Sequence, residues 1–438
     1  MESERNRVTQ PSLVLGIDFG TTNSVVAAID PTTGASHTVR FQVGDTAHDV
    51  FRSVLCFSQT VSNGRLSDHR AAGPAAISAY LDDPLESRLV MSPKTYLASP
   101  SFTSTNLFGR IWSLEQLIGL FLRELLAAAA LDPADLHVVA GRPVRFAGEN
   151  ADDALGERRL RAAFADAGLH DIGVALEPEG AGYRFTRTLD APSTVLIGDF
   201  GGGTSDFSVL RFTPGDAGQA SLVPMGRAGV GIAGDAFDAR IMEQVVAPLL
   251  GKGSSYKPWG NTLPVPAEWY SAFARWHRLS MMRTPRMVRD IEDVRRTAEH
   301  PDRLDALRAL IEDEQGYALY RAVSDVKAAL SSADEATLRF EHERFVIERV
   351  VGRAEFEGWI APDLARLGKA VDDALVDAGV TAAGIDRVFL TGGTAFVPAV
   401  RALFADRFGA GRLSGGGEFV SVAEGLALIG AERLSSSS

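Results

Sequence analysis

One motif occurs twice in this chain, and that repetition limits how it can fold more than any other feature. Val14-Leu-Gly-Ile-Asp-Phe-Gly-Thr-Thr22 reads as an apolar strand that ends in an aspartate and a phenylalanine, then turns at glycine and threonine. Thr194-Val-Leu-Ile-Gly-Asp-Phe-Gly-Gly-Gly-Thr204 repeats the same order. A second apolar run follows each copy, at residues 24–29 and 206–212, so each predicts a β-hairpin. Asp18 and Asp199 lie much further apart than the roughly 20–50-residue period of a solenoid. The repeat therefore predicts two similar lobes, with the matched turns facing one cleft.

The intervening sequence alternates between the two periodicities. Residues 111–130 have helical spacing, with Leu114, Leu117, Ile118, Phe121, Leu122 and Leu125 on one face, and Asp132-Pro133 as a stop. A strand over 136–140, a helix through 158–167 and a strand over 171–177 ending at Pro178 follow. Such alternation predicts an α/β class. Residues 251–314 are Pro-rich at first and heavily charged from 283 onward, which predicts a solvated helical subdomain with i, i+4 ion pairs. The first ten residues are polar and read as a frayed start, and the serine tail at 435–438 needs no function.

Composition narrows the class. With 438 residues, 45% apolar and 23% charged, the chain is an ordinary globular mixture sized for two or three domains or two large lobes. The single cysteine, Cys56, excludes an internal disulfide and a thiolate cluster and fits a reducing compartment. A net charge of −12 argues against a large nucleic-acid surface. No apolar run approaches the roughly 20 residues of a membrane span, and the start lacks a signal-peptide core. The expectation is a soluble cytoplasmic protein with neither nucleic acid nor membrane as partner.

A tight Gly/Thr turn presents backbone N–H groups in a concave nest and adds hydroxyl donors, both suited to phosphate oxygens. Gly20, Thr21 and Thr22 make one such turn, and Gly201, Gly202, Gly203 and Thr204 the other. A lone glycine turn is equally a plain hairpin; two matched turns, each after a strand-end aspartate, favour a polyphosphate. Asp18 and Asp199 would then flank it and hold Mg²⁺, largely through the ion's waters. There is no GxxxxGK[ST] loop, no GxGxxG entering a helix and no HExxH, and the eight histidines form no zinc-ligand pattern. Lysine occurs only at Lys94, Lys252, Lys257, Lys327 and Lys369. Arginine does not replace a compact point charge, so these few lysines are candidates.

Gly16-Ile-Asp-Phe-Gly-Thr-Thr-Asn-Ser24 and Asp199-Phe-Gly-Gly-Gly-Thr-Ser-Asp206 resemble the two phosphate motifs of the heat-shock protein 70 family, within the actin and sugar-kinase superfamily. Val388-Phe-Leu-Thr-Gly-Gly-Thr-Ala-Phe-Val-Pro398 resembles its adenosine motif, which implies nucleoside contacts at Gly392, Gly393, Thr394 and Phe396. Val326-Lys-Ala-Ala-Leu-Ser-Ser332 resembles the helix that reaches adenosine with a lysine and a serine four apart, here Lys327 and Ser331. Glu177-Pro178 resembles the segment whose glutamate lies near the attacking water and the metal. Lys94 resembles the lysine that faces the γ-phosphate.

The resemblance implies a two-lobed actin-like ATPase fold of duplicated RNase H-like domains. Lobe I would span 12–190 plus 417–434, and lobe II 191–416 with a helical insert at about 251–330. It implies ATP/ADP and Mg²⁺ as ligands, with Asp18, Glu177 and Asp199 around the metal. Lys94, Glu177, Asp199 and Thr204 would carry slow hydrolysis that gates the lobes. Protein clients or co-chaperones are the implied partners, and the oligomeric state is open. The chain departs from the family pattern at Gly141-Arg-Pro143, where Val-Pro-Ala is usual; at Ser324, where an acid is common; and at Phe396, where an arginine stacks on the base. It ends soon after the helix around Val422, so a nucleotide-binding part without the family's peptide-binding domain is the expectation; its length, Gly141-Arg-Pro143 and the charged 283–314 insert most resemble the short YegD-like members. A sugar-type small-molecule kinase and an actin-like structural protein share the fold and remain open; for a kinase base, Asp18 or Asp206 are the candidates.

Overall fold

The computed structural model describes residues 13–43, 46–62, 65–83, 86–146, 151–186, 191–214, 220–274, 282–313, 315–414 and 421–437. Two sheets organise it. The first contains β1 (Leu13–Phe19), β2 (Asn23–Ile29), β3 (Ser36–Thr38), β4 (Phe51–Arg52), β5 (Leu136–Arg142) and β6 (Ile172–Leu176), in the order β6-β5-β1-β2-β3 with β4 also on β2. The second contains β7 (Ser193–Phe200), β8 (Ser205–Pro214), β9 (Ala220–Val230), β10 (Arg387–Thr391) and β11 (Leu413–Ser414), in the order β9-β8-β7-β10-β11. Both sheets place an antiparallel meander beside parallel strands: β1 pairs with β2 antiparallel and β5 parallel, and β7 pairs with β8 antiparallel and β10 parallel. The sequence repeat is thus a repeat of topology.

The helices that build the two lobes around the site include α1 (Leu114–Ala128), α2 (Asp153–Asp166), α3 (Glu177–Thr186), α4 (Gly234–Ile241), α5 (Gly316–Leu330), α6 (Arg353–Asp377) and α7 (Ser421–Ser437). Apolar residues of α1 and α2 bury the outer face of the first sheet, and those of α4, α5 and α6 join the core on the second. Between the sheets, Val139 and Ala175 meet Val195, Ile197 and Phe389, with Ala181 of α3 and Leu426 of α7 completing the layer. Helices α3 and α7 cross so closely that a Cβ on Gly425 would lie 1.6 Å from the Gly180 carbonyl oxygen. Glycine is required there by contact, not by conformation.

Several predicted boundaries move for identifiable reasons. Residues 111–113 belong to a strand, Arg110–Ser113, not to the helix predicted over 111–130. Ser113 accepts the Gln116 N–H while Gln116 reaches back to the Ser113 N–H, a capping box that fixes the start of α1. Glu177 does not close a strand: it opens α3, with Pro178 in the first turn, where a missing N–H is harmless. In the charged stretch, helices Pro285–Arg295 and Pro301–Glu312 carry the expected ion pairs, such as Arg286–Asp290 and Arg308–Glu312. The few apolar residues there, including Ile291, Leu304 and Leu307, are buried. The frayed start, the last serine and the lobe boundaries near 190 and 417 lie outside the described residues. Among the described residues, no helix is long and apolar enough to cross a membrane.

Candidate functional site

Strand alternation aims the site. In β1 and β7 the phenylalanines Phe19 and Phe200 point into their cores, so the preceding aspartates, Asp18 and Asp199, face the other way, into the cleft. Four residues connect Phe19 to Ser24 in one hairpin, and four connect Phe200 to Ser205 in the other. The second turn closes on a hydrogen bond from the Gly201 N–H to the Thr204 carbonyl at 2.9 Å. The turns meet: a Cβ added to Gly202 would stand 2.0 Å from Thr22 Oγ1. Gly202 is held from behind by the Asp235 N–H, which donates to its carbonyl at 2.9 Å.

The first turn is braced differently. Ser53, buried beside β4, donates its N–H to the Thr22 carbonyl (2.9 Å) and its hydroxyl to the Gly20 carbonyl (2.7 Å). Its own carbonyl accepts the Ser92 N–H. Ser92 has φ +52°, in the left-handed region, and turns the chain into the 3₁₀ segment Pro93–Tyr96 that delivers Lys94. Ser53 therefore links the first turn to the lysine. Neither serine stood out in the sequence, because only the fold brings them together.

Lys94 is buried and donates to Glu177 Oε1 at 2.5 Å. Gly141 makes room for this: a Cβ there would press on Glu177 Cγ and Leu426 Cδ1, each at 3.0 Å. Burial opposes the charge on Lys94, but the Glu177 and Asp18 carboxylates outweigh it and hold the ammonium above its usual value. The aspartates of the cleft shift upward instead. Asp18 rises to about 7 through burial and repulsion from Glu177, against the pull of Lys94. Asp199 rises well above its ordinary value through burial and repulsion from Glu177, Asp18 and Asp206. Asp206, opposite Asp199 across the hairpin, rises to about 8, chiefly by burial, and its Oδ1 has no partner.

The nucleoside candidates lie on the second lobe. Gly392 follows β10 with φ +87°, and a Cβ there would meet the Phe200 carbonyl oxygen at 2.0 Å, so only glycine fits. Gly393, Thr394, Lys327 and Ser331 join it on the wall. Lys327 is engaged, donating to Asp238 Oδ2 at 2.8 Å and to the Gly234 carbonyl at 3.1 Å. Phe396 and Gly203 are not part of the wall, and Phe396 is 43% exposed. The cleft also takes in Arg52, Asp235, Asp238 and Tyr320, which sequence reasoning missed. Asp235 and Asp238, three apart at the start of α4, were the one legible signal.

All the other predicted site residues line this cleft, whose volume is about 270 Å³. A single water needs roughly 10–15 Å³ on the same measure, so the space suits a ligand. Asp18, Glu177 and Asp199 crowd around one lysine, and the upward shifts of Asp18 and Asp199 mark an excess of negative charge that a cation would relieve. Among the described residues no three acidic, histidine or cysteine side chains are arranged to grip a metal directly.

The chain is similar to known proteins. Residues 309–433 match the family model described as Hsp70 protein. Chaperone protein DnaK of Deinococcus radiodurans is 26% identical over 415 residues, covering 90% of this chain and 55% of its own. A chaperone protein HscA homolog of Tolumonas auensis is 26% identical over 421 residues, covering 91% and 54%. Chaperone protein DnaK of Thermus thermophilus is 24% identical over 416 residues, covering 90% and 57%. The chain spans about half the length of these relatives. The match at residues 309–433, these relatives and the duplicated sheets of the actin-like ATPase fold support membership of the heat-shock protein 70 family.

Proposed function

We propose that this protein binds ATP with Mg²⁺ in the cleft, hydrolyses it slowly and uses the change from ATP to ADP to alter the angle between its lobes. The observation that carries this reading is the meeting of the two hairpin turns, with Gly202 against Thr22 and an aspartate behind each turn. In this reading the turns cradle the phosphates with backbone N–H groups and the hydroxyls of Thr21, Thr22 and Thr204. Gly392, Gly393, Thr394, Lys327 and Ser331 take the nucleoside, and Lys327 turns from Asp238 toward it. Asp18, Glu177 and Asp199 hold Mg²⁺ through its waters, and the ion supplies charge neutralisation at the phosphates.

Phosphoryl transfer requires little covalent chemistry from a protein, so positioning and electrostatics set the rate. Lys94 is poised to exchange its bond with Glu177 for one with the terminal phosphate, which frees Glu177 to align water. Thr204 would assist from the second turn. Loss of the terminal phosphate removes contacts that reach both lobes, and hinged opening results.

The biological role we propose is that of a cytoplasmic, chaperone-like protein whose lobe surfaces or partners read this angle. The lobe limits at 12–190 plus 417–434 and 191–416, and the narrower YegD-like grouping suggested by Gly141-Arg-Pro143, belong to the same proposal. Titration calorimetry with ATP and Mg²⁺ tests it. Measurable binding is expected, and silence at millimolar nucleotide would remove the reading.

A further inference from the structure

Three cations line the cleft among the described residues, and two of them are committed. Lys94 is bound to Glu177 and Lys327 to Asp238. Arg52 is different: no carboxylate of the described residues holds it at ion-pair distance, and its side chain makes one hydrogen bond, from Nη1 to Asn23 Oδ1 at 3.1 Å. A guanidinium carries five N–H donors in a fixed fork, so most of its bonding capacity is unspent.

Its position is built. Arg52 is the second residue of β4 and pairs with Asn23 of β2. Alternation sends Phe51 into the core, where its ring centroid lies 5.1 Å from that of Phe41 and 5.5 Å from that of Phe121. The same alternation sends Arg52 to the cleft. The next residue, Ser53, is bonded to the Gly20 and Thr22 carbonyls, so the arginine's backbone is fixed to the first turn. Its charge is felt across the cleft by Asp235 and Tyr320 of the second lobe. Six carboxylates line the same space: Asp18, Glu177, Asp199, Asp206, Asp235 and Asp238. A polyanion entering there needs every uncommitted cation the chain can offer.

We propose that Arg52 is a phosphate-binding residue of the site, its guanidinium closing on the polyphosphate from beside the first turn. This rests on the nucleotide reading above and adds to it a residue that the repeated motifs do not contain. A forked, charge-assisted contact of this kind is strong and geometrically selective.

The test is calorimetric titration of ATP with Mg²⁺, and of adenosine, into the full chain and two variants. Arg52→Ala is expected to weaken ATP by about 10- to 100-fold, the usual cost of a lost charged hydrogen bond, and to leave adenosine within about 3-fold. Arg52→Lys, which keeps the charge and loses the fork, is expected to fall between. Unchanged ATP affinity in Arg52→Ala, or an equal loss for ATP and adenosine, overturns the assignment while wild-type binding keeps the nucleotide reading intact. Wild-type protein that binds neither ligand overturns both.

Discussion

The two hairpins share strand order, loop length and the phase of their aspartates, yet they carry different chemistry. The first presents hydroxyls, at Thr21 and Thr22, and is braced by one backbone and one side-chain bond from Ser53. The second presents glycines and is braced by backbone bonds, within the turn and from Asp235. Opposite Asp18 stands Val25, whereas opposite Asp199 stands Asp206. The cations near the phosphate end, Lys94 and Arg52, come from the first lobe, and the surplus carboxylates Asp206, Asp235 and Asp238 come from the second. Duplication sets the geometry of such a cleft. Divergence between the copies leaves the charges of one wall balanced and gives the other an excess of carboxylates.

The largest expected effect tests that division at Lys94. Lys94→Met should lower single-turnover phosphate release by about 10²-fold or more, the usual loss when an electrostatic clamp is removed. The substitution also leaves Glu177 buried without its partner, a situation that costs stability. Turnover is therefore compared only in protein shown to be folded by circular dichroism, with Lys94→Met/Glu177→Gln as a companion that removes both charges. Wild-type rates in a folded Lys94 variant would mean that the first lobe does not supply the working cation.

A smaller effect is expected where the copies touch. Gly202→Ala puts a methyl group against Thr22 Oγ1 and should weaken ATP binding by roughly 10-fold, since a displaced turn misaligns its donors. In a Thr22→Ala background the same substitution has more room and should cost measurably less. Additive losses in that cycle would show that the turns do not meet in solution.

Proton linkage sharpens the contrast between Val25 and Asp206. Asp206 is held up to about 8 in the fold, against an ordinary value of 3.8, mainly by burial. Between about pH 4 and pH 8 the folded state therefore keeps a proton that the unfolded state has released, and stability falls as pH rises. Asp18, held near 7, adds in the same direction. Asp206→Asn should raise the thermal midpoint of the ligand-free protein by roughly 2–6 °C at pH 8 and by little at pH 4, where wild-type Asp206 is already neutral. Equal shifts at both pH values would assign the effect to packing.

The range of the forces involved decides how much of this was legible in the sequence. The repeat, the turns and the strand-end aspartates are local patterns, and they survive into the fold with boundaries shifted by a residue or two. Pro178 was misread because proline stops a strand and also opens a helix, and only the residues C-terminal to it decide between the two. Ser53, Arg52 and Tyr320 were invisible for a different reason. Each is unremarkable among its neighbours and gains its role from a contact across many residues, such as the hydroxyl that reaches from Ser53 to Gly20. Scarcity marked five lysines and the resemblance singled out Lys94; Glu177 was named as a candidate in its own right, and only the fold shows the two as an ion pair.

The smallest expected effect concerns the nucleoside end, where the sequence suggested more than the fold supplies. Phe396 stands where an arginine would stack on the base, and an aromatic ring can stack as well. Yet the 3₁₀ turn Gly393–Phe396 turns Thr394 inward and leaves Phe396 about half exposed, off the cleft wall. A ring placed there would gain little by meeting a base that, in the proposed reading, the wall residues hold. Phe396→Ala should therefore leave the affinity for ATP, and its ratio to GTP, within about 2-fold on calorimetric titration, because surface substitutions away from a packed contact usually change little. A loss of 10-fold or more would mean that ligand binding draws the ring onto the base. The second lobe would then close at both ends of the nucleotide, and the division of labour between the two copies would have to include the base as well as the phosphates.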